Sequence, residues 1–368
     1  MVASTQQHTL AILDDYHDIA KPYFAKIPNL SITTFPTTLH PQHSPSDHAA
    51  LIARLSPFTI ISTMRERTPL PASILTQLPN LRLLLTTGTR NLSIPEATVA
   101  SLSITYAGTV PPPKPTHAPV VPTTKAASVG YSNTNEHTWA LLLALAKNVP
   151  QDDYNVKARA SGGWETALVT GLAGKTIGLL GLGRLGAQAA VTAALAFGMR
   201  VVAWSENLTQ AKADAVAERA GLDKGAFRVT ATKRELFEVS DIVSVHLVLS
   251  ERSVGVVGEE ELWAMKEDAL LVNTSRGPLV DEKALLAVLK KGAIAGAALD
   301  VFDVEPLPDD SEWRSTEWGK NGTSRVVLSP HMGYAETRTM HSWYEQQAVN
   351  VERWLNGDEV LNKILPQQ

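Results

Sequence analysis

Apolar residues gather in short runs separated by polar, helix-length stretches along most of the chain. Residues 9–13, 30–35, 58–63, 81–86 and 103–106 read as strands, and helices fit at 48–55 and 71–77. Strands alternating with helices predict a mostly parallel sheet, so the first 106 residues form a small α/β domain. Residues 107–133 break the pattern, because GTVPPPKPTHAPVVPTTKAASVGYSN holds much proline and little that packs. They read as an extended surface loop, with a proline-rich ligand for a partner domain as the second reading. The run NEHTWALLLALAK, residues 135–147, predicts a buried helix. Alternation then resumes, with strands at 176–180, 201–204, 227–229, 242–247, 269–273, 294–300 and 325–328. Helices are expected at 185–197, 209–220, 233–239, 259–265 and 281–290, and residues 308–324 read as a second irregular insertion. A long amphipathic helix at 336–355 closes the pattern, with Met340, Trp343, Tyr344, Val351, Trp354 and Leu355 near one side.

One stretch organises the second half. The apolar run 176–180 is followed at once by Gly181, Gly183 and Gly186, spaced G-x-G-x-x-G, then by an Ala-rich helix and a second strand. A glycine triplet alone is weak evidence, since a strand–helix turn in any α/β protein can carry one. Set between a strand and a helix in a unit of about thirty residues, it reads as a dinucleotide-binding crossover. Gly181 allows the tight turn, Gly183 lets a pyrophosphate approach the backbone, and Gly186 lets the helix pack on the sheet. The N–H groups of the helix N-terminus then face the anion.

Three polar residues stand just past predicted strands: Arg276 in VNTSRG, Glu305 in LDVFDVEP and His331 in VVLSPH. Ligands of open α/β sheets sit beyond the carboxyl ends of the strands, so all three point at the edge that carries the glycine turn. Taken singly, they read equally well as a surface arginine, a turn residue before Pro306 and a histidine with an ordinary partner. Together they supply an acid/base, its carboxylate partner and a fixed cation. Reduction of a 2-keto acid needs a hydride at the carbonyl carbon and a proton at its oxygen. His331 suits the proton, Glu305 the stabilisation of the imidazolium, and Arg276 the substrate carboxylate and carbonyl.

Composition adds exclusions. At 368 residues the chain has room for two domains, and 44% apolar with 19% charged residues is ordinary for a globular protein. A formal charge of −4 offers no basic field for nucleic acid or anionic lipid. There is no cysteine, which excludes disulfides, thiolate catalysis and cysteine–zinc sites, and no metal site is expected. The polar start MVASTQQHTL and the shortness of the apolar helical runs predict neither a leader nor a membrane span, and hence a cytoplasmic protein.

GLLGLGRLG, NTSRGPLVDEKALLAVLKKGAIAGAALDVFDVEP and SPHMGY resemble the D-isomer-specific 2-hydroxyacid dehydrogenases. LRLLLTTGTRNLSI is similar to that family's substrate-loop segment and NEHTWALLLALAK to its interdomain helix. The resemblance implies an α/β protein with a Rossmann dinucleotide-binding domain, residues 134–334, and a smaller flavodoxin-like α/β substrate domain. The latter would be discontinuous, built from residues 1–133 and 335–368, with two linkers acting as a hinge. Also implied are Arg276 as substrate-binding arginine, Glu305 as partner of the histidine and His331 as acid/base. Thr89, Arg184, Leu185, Leu247, Thr274, Ser275 and Gly333 would join the glycines at the cofactor, and Asp300 would hold the nicotinamide carboxamide. A homodimer joined through the cofactor domain completes the expectation. Formate dehydrogenases share the fold but carry glutamine where Glu305 stands. Co-repressors of the same fold, which sense dinucleotide with little turnover, are the alternative that the proline-rich insertion keeps open.

Two places depart from the family pattern. After the strand 201–204 the chain reads Ser205-Glu206, where NAD-specific relatives have an acidic residue at the first position and NADP-preferring ones a small residue followed by arginine. A carboxylate at Glu206 disfavours a 2′-phosphate, so NAD(H) is favoured, with NADP(H) open through Ser205 and Asn207. On the substrate side, Gly88 with Arg65, Arg67 or Arg90 is the candidate site for a second acidic group, against a reading of these arginines as solvent-facing or salt-bridged. Tyr334, Met64 and Trp343 are candidates for an apolar side-chain pocket.

Overall fold

The computed structural model describes residues 7–42, 45–112, 132–158 and 167–366. The chain divides into two compact units, Met1–Pro115 with Glu336–Gln368, and Thr116–Ala335. In the first unit, strands β1 (His8–Leu13), β2 (Leu30–Phe35), β3 (Ile60–Thr63), β4 (Leu83–Thr86) and β5 (Thr105–Ala107) form a parallel sheet in the order β2-β1-β3-β4-β5. That is the flavodoxin-like order, with its reversal between β1 and β3. Both faces are covered, so β3 and β4 are buried along their whole length. Ala11, Leu13, Leu51, Leu55, Ile61, Ile74 and Leu84 build the core on one side.

The helix Thr337–Leu355 belongs to this unit. Glu336 caps it, its carboxylate accepting from the N–H groups of Arg338 and Thr339. Its buried stripe is Met340, Trp343, Tyr344, Gln347, Ala348, Asn350 and Val351. Ser62 Oγ donates to Gln347 Oε1 at 2.5 Å, fixing the helix over β3. Met64 and Trp343, the candidates for an apolar side-chain pocket, are buried at 1% and 5% exposure.

In the second unit, β6 (Thr176–Leu180), β7 (Arg200–Trp204), β8 (Phe227–Val229), β9 (Ile242–Val245), β10 (Leu270–Asn273), β11 (Gly296–Leu299) and β12 (Arg325–Leu328) pair in parallel. Their order is β12-β11-β10-β9-β6-β7-β8. The order reverses between β6 and β9, as in a Rossmann fold, and places the switch point at the end of β6. The helix Asn133–Ala146, N-capped by Ser132, packs through Trp139 on Phe197, ring centroids 4.6 Å apart.

Several strands are shorter than the apolar runs that announce them, because residues such as Phe58, Leu81 and Leu247 are packed but lie outside the ladders. The helices Lys21–Phe24, Glu96–Ser101 and Val149–Ala158 escape the hydrophobic pattern. Residues 308–324 are not irregular throughout. They hold a helix, Glu312–Ser315, whose Trp313 is buried on the core beside Trp318. Most of the proline-rich segment 107–133 lies outside the described residues. Among the described residues, no helix is long and apolar enough to cross a membrane, and no three acidic or histidine side chains are placed to hold a metal ion.

Candidate active site

Every strand of the second sheet runs the same way, so the segments that follow β6, β7, β9, β10, β11 and β12 emerge on one edge. After β6 the chain turns at Gly181 (φ 103°) into the helix Arg184–Phe197. A Cβ on Gly181 would lie 2.8 Å from the His246 carbonyl oxygen, and one on Gly186 would overlap the carbonyl oxygen of Gly181. Internal packing therefore dictates those two glycines. Gly183 differs: its backbone is extended, it is exposed, and a Cβ there would meet nothing within 4 Å. The opening above Gly183, with no side chain capping that helix N-terminus, fits the approach of a pyrophosphate to the N–H groups of the first turn. Arg184 is exposed and Leu185 half-buried on that turn. At the end of β7, Ser205 is half-buried and Glu206 exposed.

The ends of β10, β11 and β12 bring the polar groups together. Arg276 follows β10 in extended backbone, its Nη1 donating to the Ser275 carbonyl at 2.8 Å. The neighbouring Gly277 lies so close to the Phe302 carbonyl that a Cβ would overlap it, which seats the arginine turn against the segment leading to Glu305. Glu305 Oε1 accepts from the Phe302 N–H at 2.9 Å, and Oε2 lies 2.6 Å from His331 Nδ1. An ionised carboxylate only accepts, so Nδ1 carries the proton of that bond. The Tyr334 ring and the imidazole meet edge to face, with centroids 5.8 Å apart.

His331 lies in the left-handed region, φ 57°, a conformation that costs a non-glycine residue about 1–2 kcal/mol. The backbone around it is gripped by Asp300, whose Oδ1 accepts from the Met332 N–H at 2.8 Å and whose Oδ2 accepts from the Gly333 N–H at 2.9 Å. Burial opposes the charged form of Asp300. Donors from His137, Met332, Ser329 and Gly333 outweigh it and hold the carboxyl below its ordinary value of 3.8. Thr274 and Ser275 also follow β10. The Thr274 hydroxyl is buried against that of Thr138 at 2.6 Å, and Ser275 Oγ donates to the Val245 carbonyl at 2.7 Å.

The first unit carries the substrate-side candidates at the carboxyl ends of its own strands. Arg65 (φ 50°) lays its guanidinium over Gly88, where a Cβ would lie 2.6 Å from Nη1, and its Nε is 3.6 Å from the Glu66 carboxylate. Arg67 is buried and faces the Asp14 carboxylate. Arg90, though exposed, is paired with Glu96 at 3.2 Å, and Thr89 is exposed beside it.

The sequence model of the D-isomer specific 2-hydroxyacid dehydrogenase, NAD binding domain, matches residues 139–333. A glyoxylate reductase of Korarchaeum cryptofilum is 32% identical over 295 residues, 79% of this chain and 78% of that protein. The chain belongs to the D-isomer-specific 2-hydroxyacid dehydrogenases. A glyoxylate reductase of Aeropyrum pernix is 36% identical over 230 residues, 61% of this chain and 63% of its own length. A solved structure described as a phosphoglycerate oxidoreductase from Vibrio cholerae superposes with a TM-score of 0.76 at 29% identity, covering 95% of this chain and 99% of that one.

Within this dehydrogenase-family chain, three residues near the site had no signal in the hydrophobic pattern. His137, on the helix Asn133–Ala146, places Nε2 3.0 Å from Asp300 Oδ1 and 3.0 Å from Ser329 Oγ. His246, past the end of β9, pairs Nε2 with Ser244 Oγ at 2.9 Å and seals Nδ1 from solvent. Burial lowers its imidazole to about 4. Lys212 donates from Nζ to the Asn207 carbonyl at 2.8 Å, so a cation is held at the residue that follows Glu206.

Proposed function

We propose that the chain is an NAD(H)-dependent oxidoreductase that interconverts 2-keto acids and D-2-hydroxy acids. The observation that carries this reading is the 2.6 Å contact of His331 Nδ1 with Glu305 Oε2, formed at the sheet edge that also bears the open Gly183 turn. Bound at that turn, reduced nicotinamide dinucleotide supplies the hydride. His331 Nε2 gives its proton to the carbonyl oxygen in reduction and takes it back in oxidation, while Glu305 holds Nδ1–H and stabilises the imidazolium. Arg276 binds the substrate carboxylate and polarises its carbonyl. The first-turn N–H groups after Gly183, with Arg184 and Leu185, hold the pyrophosphate. Asp300, each of whose carboxylate oxygens has room for more than one donor, receives the carboxamide. Glu206 favours NAD(H) over NADP(H).

The relatives named above make short 2-keto acids such as glyoxylate the first substrates to try, and Arg65 over Gly88 is the substrate-side cation for a second acidic group. The same reading includes a homodimer in the cytoplasm. Purified protein is expected to oxidise NADH with at least one member of a panel of 2-keto acids, and more slowly to oxidise NADPH. His331→Ala should lower turnover by about 10²–10⁴-fold while NADH still binds. A folded protein that turns over none of the panel with either cofactor would be read as a dinucleotide-sensing binder instead.

A further inference from the structure

We propose that His137 is a positioning residue for His331, acting through Asp300; the catalytic part of this proposal rests on the role given to His331 above. His137 stands one turn into a helix far from β11 in sequence, yet its Nε2 lies within 3.0 Å of both Asp300 Oδ1 and Ser329 Oγ. The carboxylate is an acceptor, so Nε2–H donates to Asp300. Asp300 in turn holds the N–H groups of Met332 and Gly333, the two residues after His331. From the same helical turn as His137, Thr134 Oγ1 donates to the Gly333 carbonyl at 3.1 Å. A Cβ at Gly333 would lie 3.2 Å from Asp300 Oδ2, 3.5 Å from Thr134 Cγ2 and 3.7 Å from His137 Cδ2, so backbone and clamp are in near contact.

The segment from Ser329 to Gly333 is thus tied on both sides of the left-handed His331 to one buried carboxylate, and that carboxylate is tied to the helix by His137. A strained backbone persists only where its surroundings over-determine it. Without the Nε2–H donor, Asp300 loses the partner that fixes its own orientation, and the aim of the imidazole loosens. His331 acts on the developing charge of the transition state, so the loss falls mainly on kcat, while cofactor affinity, to which the carboxamide contact of Asp300 adds only one part beside the pyrophosphate turn, changes less.

The test compares His137→Leu with His137→Gln, whose side-chain amide donates from a similar reach. Glyoxylate with NADH is the assay, or whichever 2-keto acid of the panel turns over fastest. His137→Leu should lower kcat by about 10–100-fold, with KM and the NADH Kd within about threefold of the parent protein. His137→Gln should recover most of the loss. Hydrogen exchange of the peptide spanning 327–335 should be about tenfold faster in His137→Leu, a readout that holds whether or not the parent protein reduces any 2-keto acid. Parental kcat and exchange in His137→Leu would overturn the proposal, as would equal defects in the Leu and Gln variants or a loss confined to KM or Kd. If His137→Leu does not fold, Ser329→Ala removes another side-chain donor from the same carboxylate. Loss of that hydroxyl, the one among the donors named above, should lower kcat several-fold with faster exchange of that peptide, and no change in either would overturn the clamp.

Discussion

His246 keeps Nδ1 away from solvent beside the glycine turn, with its backbone oxygen against Gly181 and its Cβ near where a Cβ on Gly186 would lie. Its imidazole titrates at about 4 in the folded protein, against an ordinary 6.5. Between those values the unfolded chain binds the extra proton, so stability rises with pH through this window and is lost as pH falls from 6.5 toward 4. The full effect of such a shift is about 3 kcal/mol. His246→Asn should flatten the pH dependence of the melting temperature across that range. Parallel curves for the two proteins would show that the ring charges freely in the native state. At this scale the legible residues are those whose position already implies a role. Arg276, Glu305 and His331 each follow a strand, and position alone nominated them. His137 sits inside an apolar helical run, and its partner lies 163 residues away, a distance over which a single sequence carries no pairing signal.

The turn after β6 separates two kinds of glycine. Gly186 is required by the close approach of the helix to the Gly181 carbonyl, whereas nothing inside the protein requires Gly183. Gly183→Val should therefore melt within about 2 °C of the parent protein, since its backbone already suits a β-branched residue, yet bind NADH at least about tenfold more weakly. Gly186→Ala should cost about 1–3 kcal/mol or more and lower the melting temperature by several degrees. Comparable NADH affinity in Gly183→Val, measured by fluorescence titration, would remove the pyrophosphate from this turn. The crossover was readable because strand, glycines and helix are contiguous and each leaves its own period in the sequence. The helix Val149–Ala158 was not, because none of its residues is buried and no apolar stripe marks it. Trp313 and Trp318 pack on the core from a polar, non-periodic stretch, where two aromatic residues give no spacing to measure.

Across the whole molecule, each unit owns a sheet and a core, and the helix Thr337–Leu355 serves the unit that begins at the other end of the chain. Met340→Ala, at a buried position on that helix, should cost about 2–5 kcal/mol in a urea melt. Its NADH affinity should equal that of the parent protein, because the glycine turn belongs to the other unit; a weakened affinity would show that the two do not hold their structures separately. The parallel sense of the sheets and the α/β class were legible from alternation alone, but the strand order was not. The return of the last helix to the first unit was legible only through the family resemblance, since periodicity says that a helix is amphipathic and not which sheet it covers.

That return sets an order of assembly on the ribosome. The sheet translated first leaves its Gln347- and Val351-facing side uncovered while some 250 further residues are added, roughly 10–50 s at ordinary elongation rates. The later unit has all of its strands by then, so the unit whose sheet is translated earlier finishes last. A nascent chain stalled short of residue 337 would hold a finished dinucleotide fold behind an N-terminal sheet with one greasy face still bare, a natural client for a chaperone.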